Sequence, residues 1–561
     1  MPSIADTLES VNRNLAEYHP ELPGLLKLTK RSPNSRLVTH GKQQAVQELL
    51  DQLARDSRTR IGIIGNTGLL DTFLSFSSAK NFEEVHLIDD DRVTSYYAQS
   101  FGIQHPLSTK DLESRSLDAV VLDTSLRTST RTRFESLALD NRLEVYPFDP
   151  QTHIDRHRQE IAEQIAGEIN ALQPDVLYLG HFAYFNLCKQ SMILRKNGKK
   201  TAILLQIPNN MEFKEQYFDA MFTSHTDDIL FCHILALLKV PLIHVQGWMT
   251  LSYLPLLIKA ANKKSKIVCE FNDISSLFTD WKSFAMIWNK ADARLEQISE
   301  EMLFRHMDGL IFNLAAPSAE ALMRRYDSVL PKIEFHSYPV REFFAPPAPP
   351  GGAEKTPSEE FRLAFIGTLN ASNLPKEFFG DVQLLPMLKR LVRQKIHCDI
   401  FLLPYQAKNN SLWDYSYFEN STPYFNILNG LPPDEITHAL IDYDYGVMFY
   451  LFSDDFRVLP DHLQGILPTK FFTFMEAGIP VIVSEELAFV ATIVRKHGLG
   501  VVVSQEDLDS LPALLASADR DTLCANIYRY REENVMDNHI VKLARLYDLV
   551  LAGGPEKGCK S

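Results

Sequence analysis

The run from Leu467 to Val483, LPTKFFTFMEAGIPVIV, constrains the fold of this chain more than any other stretch. It reads as a helix opened near Pro468, stopped at Gly478-Ile479-Pro480 and followed at once by an apolar, β-branched strand. In a parallel α/β sheet that order puts the helix N-terminus, with Lys470 in its first turn, at the rim where ligands bind. The partial positive charge of the first-turn N–H groups adds to the ammonium there, which suits the site to a diphosphate. A solvated lysine in the first turn of a surface helix satisfies the same spacing.

At 561 residues the chain is too long for one core, and about three domains are expected. The formal net charge of −14 argues against a general nucleic-acid binder, which needs a positive surface. Two local basic runs, Arg195 to Lys200 and Lys263 to Lys266, read as solvated helix ends or loops; contact with a membrane surface is the alternative. The six cysteines are scattered, with no C-x-x-C pair, so neither a zinc site nor a disulfide framework is expected. Met1 to Glu17 lacks a basic region followed by an apolar run, so no signal peptide is expected. The longest apolar stretch, Ile229 to Val245, is broken by His233, Lys239 and Pro241, and reads as a buried helix followed by a strand. A cytoplasmic protein is expected, with contact at the inner face of a membrane left open.

Three α/β units follow one another along the chain. Residues 1–57 form a polar helical cap ending in the amphipathic run Lys42 to Leu53. Residues 58–149 form a Rossmann-like unit in which the strand Arg60 to Ile64 meets the glycines Gly62, Gly65 and Gly68. A second strand there ends in Asp89, placed to meet a ribose; a unit whose glycines only make turns is the other reading. Residues 150–344 alternate strands and helices again. The strands Val240 to Trp248 and Lys266 to Asp273 bring His244, Trp248, Glu270, Asn272 and Asp273 to neighbouring strand ends, and Met307 to Asn313 reads as the last strand. Asp273 can equally cap the following helix, and His244 can be a half-buried structural histidine. Residues 345–360, APPAPPGGAEKTPSEE, exclude helix and strand and read as an exposed linker. Residues 361–551 form the third α/β unit, whose last helices pack on it or cross back to the second, and 552–561 are a frayed tail.

The Pro-x-Lys, aromatic, Ala-Gly-x-Pro-Val-Ile order resembles the nucleotide-sugar segment of GT-B glycosyltransferases of the retaining family-4 type. Phe361 to Asn370 resembles the strand and glycine turn that open the donor domain. Asp444 to Tyr450 resembles the strand before the donor motif, and Lys496 to Val502 the strand after it. The resemblance runs from about Gln173 to Leu551. It implies two facing Rossmann-like domains, an acceptor domain at 150–344 and a donor domain at 361–551. It further implies transfer of a sugar from a nucleotide-diphosphate sugar to a glycan, lipid-linked or protein acceptor. Retention, no metal and no further cofactor go with that resemblance.

Lys470 is then the group that stabilises charge on the departing diphosphate. Gly367 and Thr368 lie where the chain approaches the phosphates, and Arg457 is a second phosphate candidate, with a surface arginine as the alternative. Asp273 and Glu270 are candidates to orient the acceptor hydroxyl. The family usually carries two glutamates separated by seven residues, the second five positions before the turn glycine. Here those positions hold Gly465 and Thr473. Thr473 offers a hydroxyl but no charge-assisted hydrogen bond, and Glu476 lies one turn further on as another donor candidate. The missing acids keep two rivals open: a GT-B-like subunit that binds a partner or glycan without catalysis, and a nucleotide-sugar epimerase.

Overall fold

The computed structural model describes residues 2–28, 36–64, 73, 82–88, 117–123, 128–207, 215–224, 226–346, 360–380, 383–403, 406, 412–452 and 456–553. Gly65, Gly68 and Asp89 lie outside the described residues. Two compact units emerge: residues 1–6, 28–164 and 225–233 form one, and residues 7–27, 165–224 and 234–561 the other.

The first unit is built on a parallel sheet of β1 (Arg60–Ile64), β2 (Glu84–Leu87), β3 (Ala119–Asp123) and β4 (Glu144–Phe148), in the order β2-β1-β3-β4. Side chains alternate across it, as the strand period requires. Ile61, Ile63, Ala119 and Val121 meet Val46, Leu50 and Leu53 of the helix Arg36–Arg55, while Val120 and Leu122 meet Phe134 on the other face. The helical cap expected over residues 1–57 is therefore divided. Arg36–Arg55 covers this sheet, whereas residues 7–27 belong to the second unit, where Asn14 donates to the Ala260 carbonyl at 2.7 Å. Both pieces are amphipathic, and sequence alone does not say which sheet each covers.

The second unit holds two sheets. One contains β5 (Val176–Gly180), β6 (Thr201–Leu205), β7 (Ala220–Thr223), β8 (Leu242–Gly247), β9 (Lys266–Phe271), β10 (Gly309–Phe312) and β11 (Lys332–Glu334). The other contains β12 (Arg362–Ile366), β13 (His397–Phe401), β14 (Phe425–Leu428), β15 (Tyr445–Met448), β16 (Val481–Ser484) and β17 (Gly500–Val503). All pairings are parallel, in the orders β11-β10-β9-β8-β5-β6-β7 and β14-β13-β12-β15-β16-β17. Each is the doubly wound order, reversing between β5 and β8 in the first lobe and between β12 and β15 in the second. Ligands of such sheets bind beyond the carboxyl ends of the strands at those reversals. Met307 to Asn313 supplies β10, but the last strand is β11. That strand has three residues and lies at the sheet edge, too short for any periodicity to mark it.

Several fixed contacts join the lobes. The backbones of Leu314 and Ile466 form an antiparallel bridge, and the Ala315 N–H donates to the Gly465 carbonyl at 2.8 Å. The helix Met536–Leu551 crosses back from the second lobe onto β9, β11 and the helix Phe185–Lys196. Gly309 permits that approach, since a Cβ there would meet Val550 Cγ2 at 2.9 Å. At the centre Lys189 Nζ meets Glu476 Oε2 at 2.8 Å, with the two side chains 0% and 1% exposed. The other carboxylate oxygen accepts the Val340 N–H at 2.7 Å. Burial pushes the Lys189 ammonium below its ordinary range and the Glu476 carboxyl above its own, while each partner holds the other's charge in place. Ala345, expected in the linker, is also buried here: its N–H donates to the Glu476 carbonyl and its own carbonyl accepts from Arg531. Residues 347–359 of that stretch lie outside the described residues.

Removing one member of this pair strands a buried charge, so Lys189→Met is expected to lower unfolding free energy by about 3–5 kcal/mol. Replacing both, Lys189→Met with Glu476→Leu, is expected to restore much of that loss. Urea unfolding of the three proteins measures both effects.

Candidate active site: a cleft between two lobes

A cavity of about 310 Å³ opens between the carboxyl ends of the two sheets, at both order reversals. The second lobe supplies Gly367 and Thr368 after β12, Tyr450 after β15 and the opening of the helix Thr469–Ala477. The first lobe supplies Tyr184 and Asn186 beyond β5, Trp248 beyond β8, and Asn272 and Asp273 beyond β9.

The helix Thr469–Ala477 starts where Pro468, with φ −60°, serves as the N-cap, and ends at Gly478, with φ +77°, where the left-handed backbone favours glycine. No side chain caps its N-terminus; Pro468, Thr469 and Lys470 at its opening line the cleft, while the Phe471 N–H turns back to the Pro468 carbonyl at 3.0 Å. Lys470 extends from that turn. Its ammonium hydrogen-bonds Tyr450 Oη at 2.9 Å and lies 3.9 Å from the Phe365 ring centroid, a cation–π contact. Gly367 has φ +153°, and a Cβ there would come within 3.0 Å of both Lys470 Nζ and the Phe365 ring. Glycine is what lets the β12 turn and the lysine share this corner.

The other donor candidates separate. Thr368 and Thr473 line the cavity, Thr473 almost wholly buried. Glu476 does not reach the cleft: its carboxylate belongs to the Lys189 pair, because it leaves the helix on the face turned to the first lobe. Arg457 is exposed and outside the cavity wall, with its guanidinium against Met286 Sδ at 3.9 Å, so it is not a cleft cation. Gly465, where the resemblance implies an acid, packs against the first lobe. A Cβ there would lie 2.4 Å from Ser318 Oγ and 3.1 Å from Ser318 Cβ.

Glu270 also stands outside the cavity wall. It is buried and accepts from Asn186 Nδ2 at 2.5 Å and Gln190 Nε2 at 3.0 Å, and it pairs with His244 Nε2 at 2.9 Å. His244 in turn meets Tyr547 Oη at 2.6 Å, so this polar cluster anchors the returning C-terminal helix. Glu270 thus holds the Asn186 amide and does not itself line the cavity. Asp273 is a cavity residue and does not cap the next helix. The N-cap of Ser275–Phe278 is Ile274, and the Ser276 N–H is taken by Glu300 at 3.0 Å. Among the described residues the Asp273 side chain has no hydrogen-bond partner, and desolvation pushes its carboxyl up to about 6.

Sequence reasoning missed His462, on the short helix Pro460–Gly465. It is buried on the cavity wall, its Nδ1 has no partner among the described residues, and burial pushes its pKa down to about 4, which keeps the ring neutral. No spacing rule singles out a lone histidine on so short a helix. Among the described residues, no group of His, Cys, Asp and Glu is arranged to hold a metal ion.

Residues 400–544 match a family model described as "Glucosyltransferase 3-like, C-terminal domain". The match covers about a quarter of the chain, within the second lobe, and with the two facing doubly wound lobes it supports a GT-B glycosyltransferase. No curated protein sequence matches it. Among solved structures it is similar to the catalytic domain of starch synthase IV from Arabidopsis thaliana, bound to ADP and acarbose. The two are 10% identical, over 68% of this chain and 99% of that one, with a TM-score of 0.44. It is also similar to a UDP-forming trehalose-phosphate synthase from Burkholderia xenovorans, 8% identical over 67% of this chain and 99% of that one, with a TM-score of 0.42. The two basic runs are largely matched by acids: Arg195 pairs with Asp219, Lys199 with Asp175, Lys263 with Glu17 and Lys266 with Asp308. No described helix is long and apolar enough to cross a membrane.

Gly465→Ala is expected to destabilise the protein by about 1–3 kcal/mol through overpacking, with part of the loss recovered in Gly465→Ala/Ser318→Gly. Thermal unfolding reports both. Asp273 provides a pH test. Its folded-state pKa is raised, so its contribution is most favourable below about 4 and is lost as pH rises through about 6. Asp273→Asn is therefore expected to be more stable than the parent at pH 8, with the difference vanishing near pH 4, when both are unfolded by urea across that range.

Proposed function

We propose that this glycosyltransferase binds a nucleoside-diphosphate sugar on the second lobe and transfers the sugar, with retention and without a metal, to an acceptor hydroxyl on the first lobe. The observation that carries this reading is the corner formed by Lys470, Gly367 and the open N-terminus of Thr469–Ala477 at the cleft. In the reaction, the bond between the anomeric carbon and the diphosphate oxygen breaks as the acceptor oxygen bonds to that carbon. The electron pair leaves with the diphosphate, where Lys470 and the first-turn N–H groups meet the growing charge. Gly367 keeps that corner open to the phosphates.

Thr473 stands where the family holds its ribose-binding acid and gives the nucleotide a neutral hydroxyl instead. His462, neutral and unpaired at Nδ1, offers a second uncharged hydrogen-bonding group on the same lobe. On the facing lobe Asp273, ionised above about pH 6, accepts a hydrogen bond from the acceptor hydroxyl and orients it. The acceptor's proton then passes to the departing diphosphate oxygen, which balances the step.

Calorimetric titration with UDP-, GDP- and CMP-sugars, followed by a transfer assay on the one that binds, tests the proposal. Lys470→Ala is expected to lower turnover by about 10²–10³-fold, the range for losing one preorganised charge-stabilising group, and to weaken donor binding. Unchanged turnover and donor affinity in this variant would remove Lys470 from the mechanism.

A further inference from the structure

The acceptor side of the cleft has a chemistry of its own. The rings of Tyr184 and Trp248 stack with centroids 4.6 Å apart and planes 27° from parallel, and both line the cavity. The Trp248 indole N–H is buried and has no partner among the described residues. Beside this shelf stand Asn272 and Asp273, consecutive at the end of β9, and neither side chain has a hydrogen-bond partner among the described residues. Asn186 differs: its amide is held at both ends, donating to Glu270 and accepting from Gln246 at 3.0 Å.

No described residue of the first lobe on this wall is a lysine or arginine. The helix Phe185–Lys196 opens onto the same wall, and an open helix N-terminus attracts anions. Here, however, the Glu270 carboxylate already sits against its first two turns through Asn186 and Gln190. With Asp273 on the wall and Glu270 behind it, a phosphate on this side would face a carboxylate and, among the described first-lobe wall residues, no lysine or arginine. The second lobe carries the opposite charge in Lys470. An uncharged ring fits what remains: a flat aromatic face for apolar C–H groups, and a free amide beside a free carboxyl at its edge for neighbouring hydroxyls.

We infer that the Tyr184–Trp248 shelf, with Asn272 and Asp273, is a subsite for an uncharged sugar ring, so that the acceptor is a neutral glycan hydroxyl and not a sugar phosphate or a peptide side chain. This rests on the transferase reading for the word acceptor, but the subsite itself is testable without a donor. The probes are methyl glycosides of glucose, galactose and N-acetylglucosamine, with glucose 6-phosphate and a serine-rich peptide as the charged and peptidic comparisons. Saturation-transfer NMR on the full chain, irradiating aromatic protons, is expected to give signals at the ring C–H protons of at least one neutral glycoside. Neither comparison is expected to give them.

Trp248→Ala is expected to weaken that binding about tenfold or more, since stacked aromatic faces dominate such contacts. Trp248→Phe, which keeps a flat face, retains most of it. Asn272→Ala serves as a second variant that leaves the shelf intact and is expected to weaken binding by removing the edge contact. In each variant, unchanged nucleotide binding shows that the lobes remain assembled. Preferred binding of the sugar phosphate, transfer to the peptide, no signal from any neutral glycoside, or full binding in both Trp248→Ala and Asn272→Ala would overturn the subsite. Glycoside binding with no nucleotide-sugar binding would instead overturn the transferase reading and leave the subsite standing.

Discussion

The cleft depends on one buried ion pair. Lys189, on a helix of the first lobe, and Glu476, on a helix of the second, meet at 2.8 Å where both side chains are sealed from solvent. Burial acts against each charge taken singly, so neither group is tolerable there without the other. The same helix carries Lys470 at its other end, about 9 Å away at the α-helical rise per residue. Anchoring Glu476 to the first lobe therefore fixes where the opening turn of that helix, and its lysine, face the cavity. Val340, Ala345 and Arg531 bind the end of the helix from both lobes, which makes the anchor a network instead of a single bond.

Across the cavity the polarity reverses. The second lobe offers a lysine, an unfilled helix N-terminus and a glycine whose missing Cβ leaves room beside the ammonium. The first lobe offers amides, a carboxyl and stacked aromatic rings. An anion is favoured on one wall and disfavoured on the other, so a substrate with a charged end and a neutral end has only one favourable orientation. The C-terminal helix strengthens this division by crossing back to the first lobe, where Tyr547 closes the cluster of His244 and Glu270 behind the first-lobe wall.

Gly465 and Thr473, which stand where the resemblance implies acids, have different surroundings. At 465 a side chain has no room, because the backbone there serves the contact between lobes and Ser318 fills the space. At 473 the threonine side chain lines the cavity and offers a neutral hydroxyl. His462 is the additional polar group on that wall, and its burial keeps it uncharged. Thr473 and His462 thus contribute neutral groups, and Lys470 is the charged side chain that the second lobe presents among the described wall residues.

The sequence by itself determined the repeating strand–helix step, the helix opening at Pro468 with Lys470 in its first turn, and the return of the chain into β16. Proline, glycine and β-branched runs act locally, and each restricts its own backbone whatever lies around it. It likewise placed Gly367 and Asp273 at strand ends, where parallel sheets bind ligands. Only the tertiary structure decided which acids meet solvent and which meet each other. Glu270 and Asp273 are three residues apart on one strand end, yet one is consumed by Asn186, Gln190 and His244 while the other stands unpaired. Glu476 is six residues from Lys470 but pairs with Lys189, 287 positions earlier in the chain. A carboxylate's role depends on the partners that arrive from distant segments, and a pattern read along the chain does not contain them.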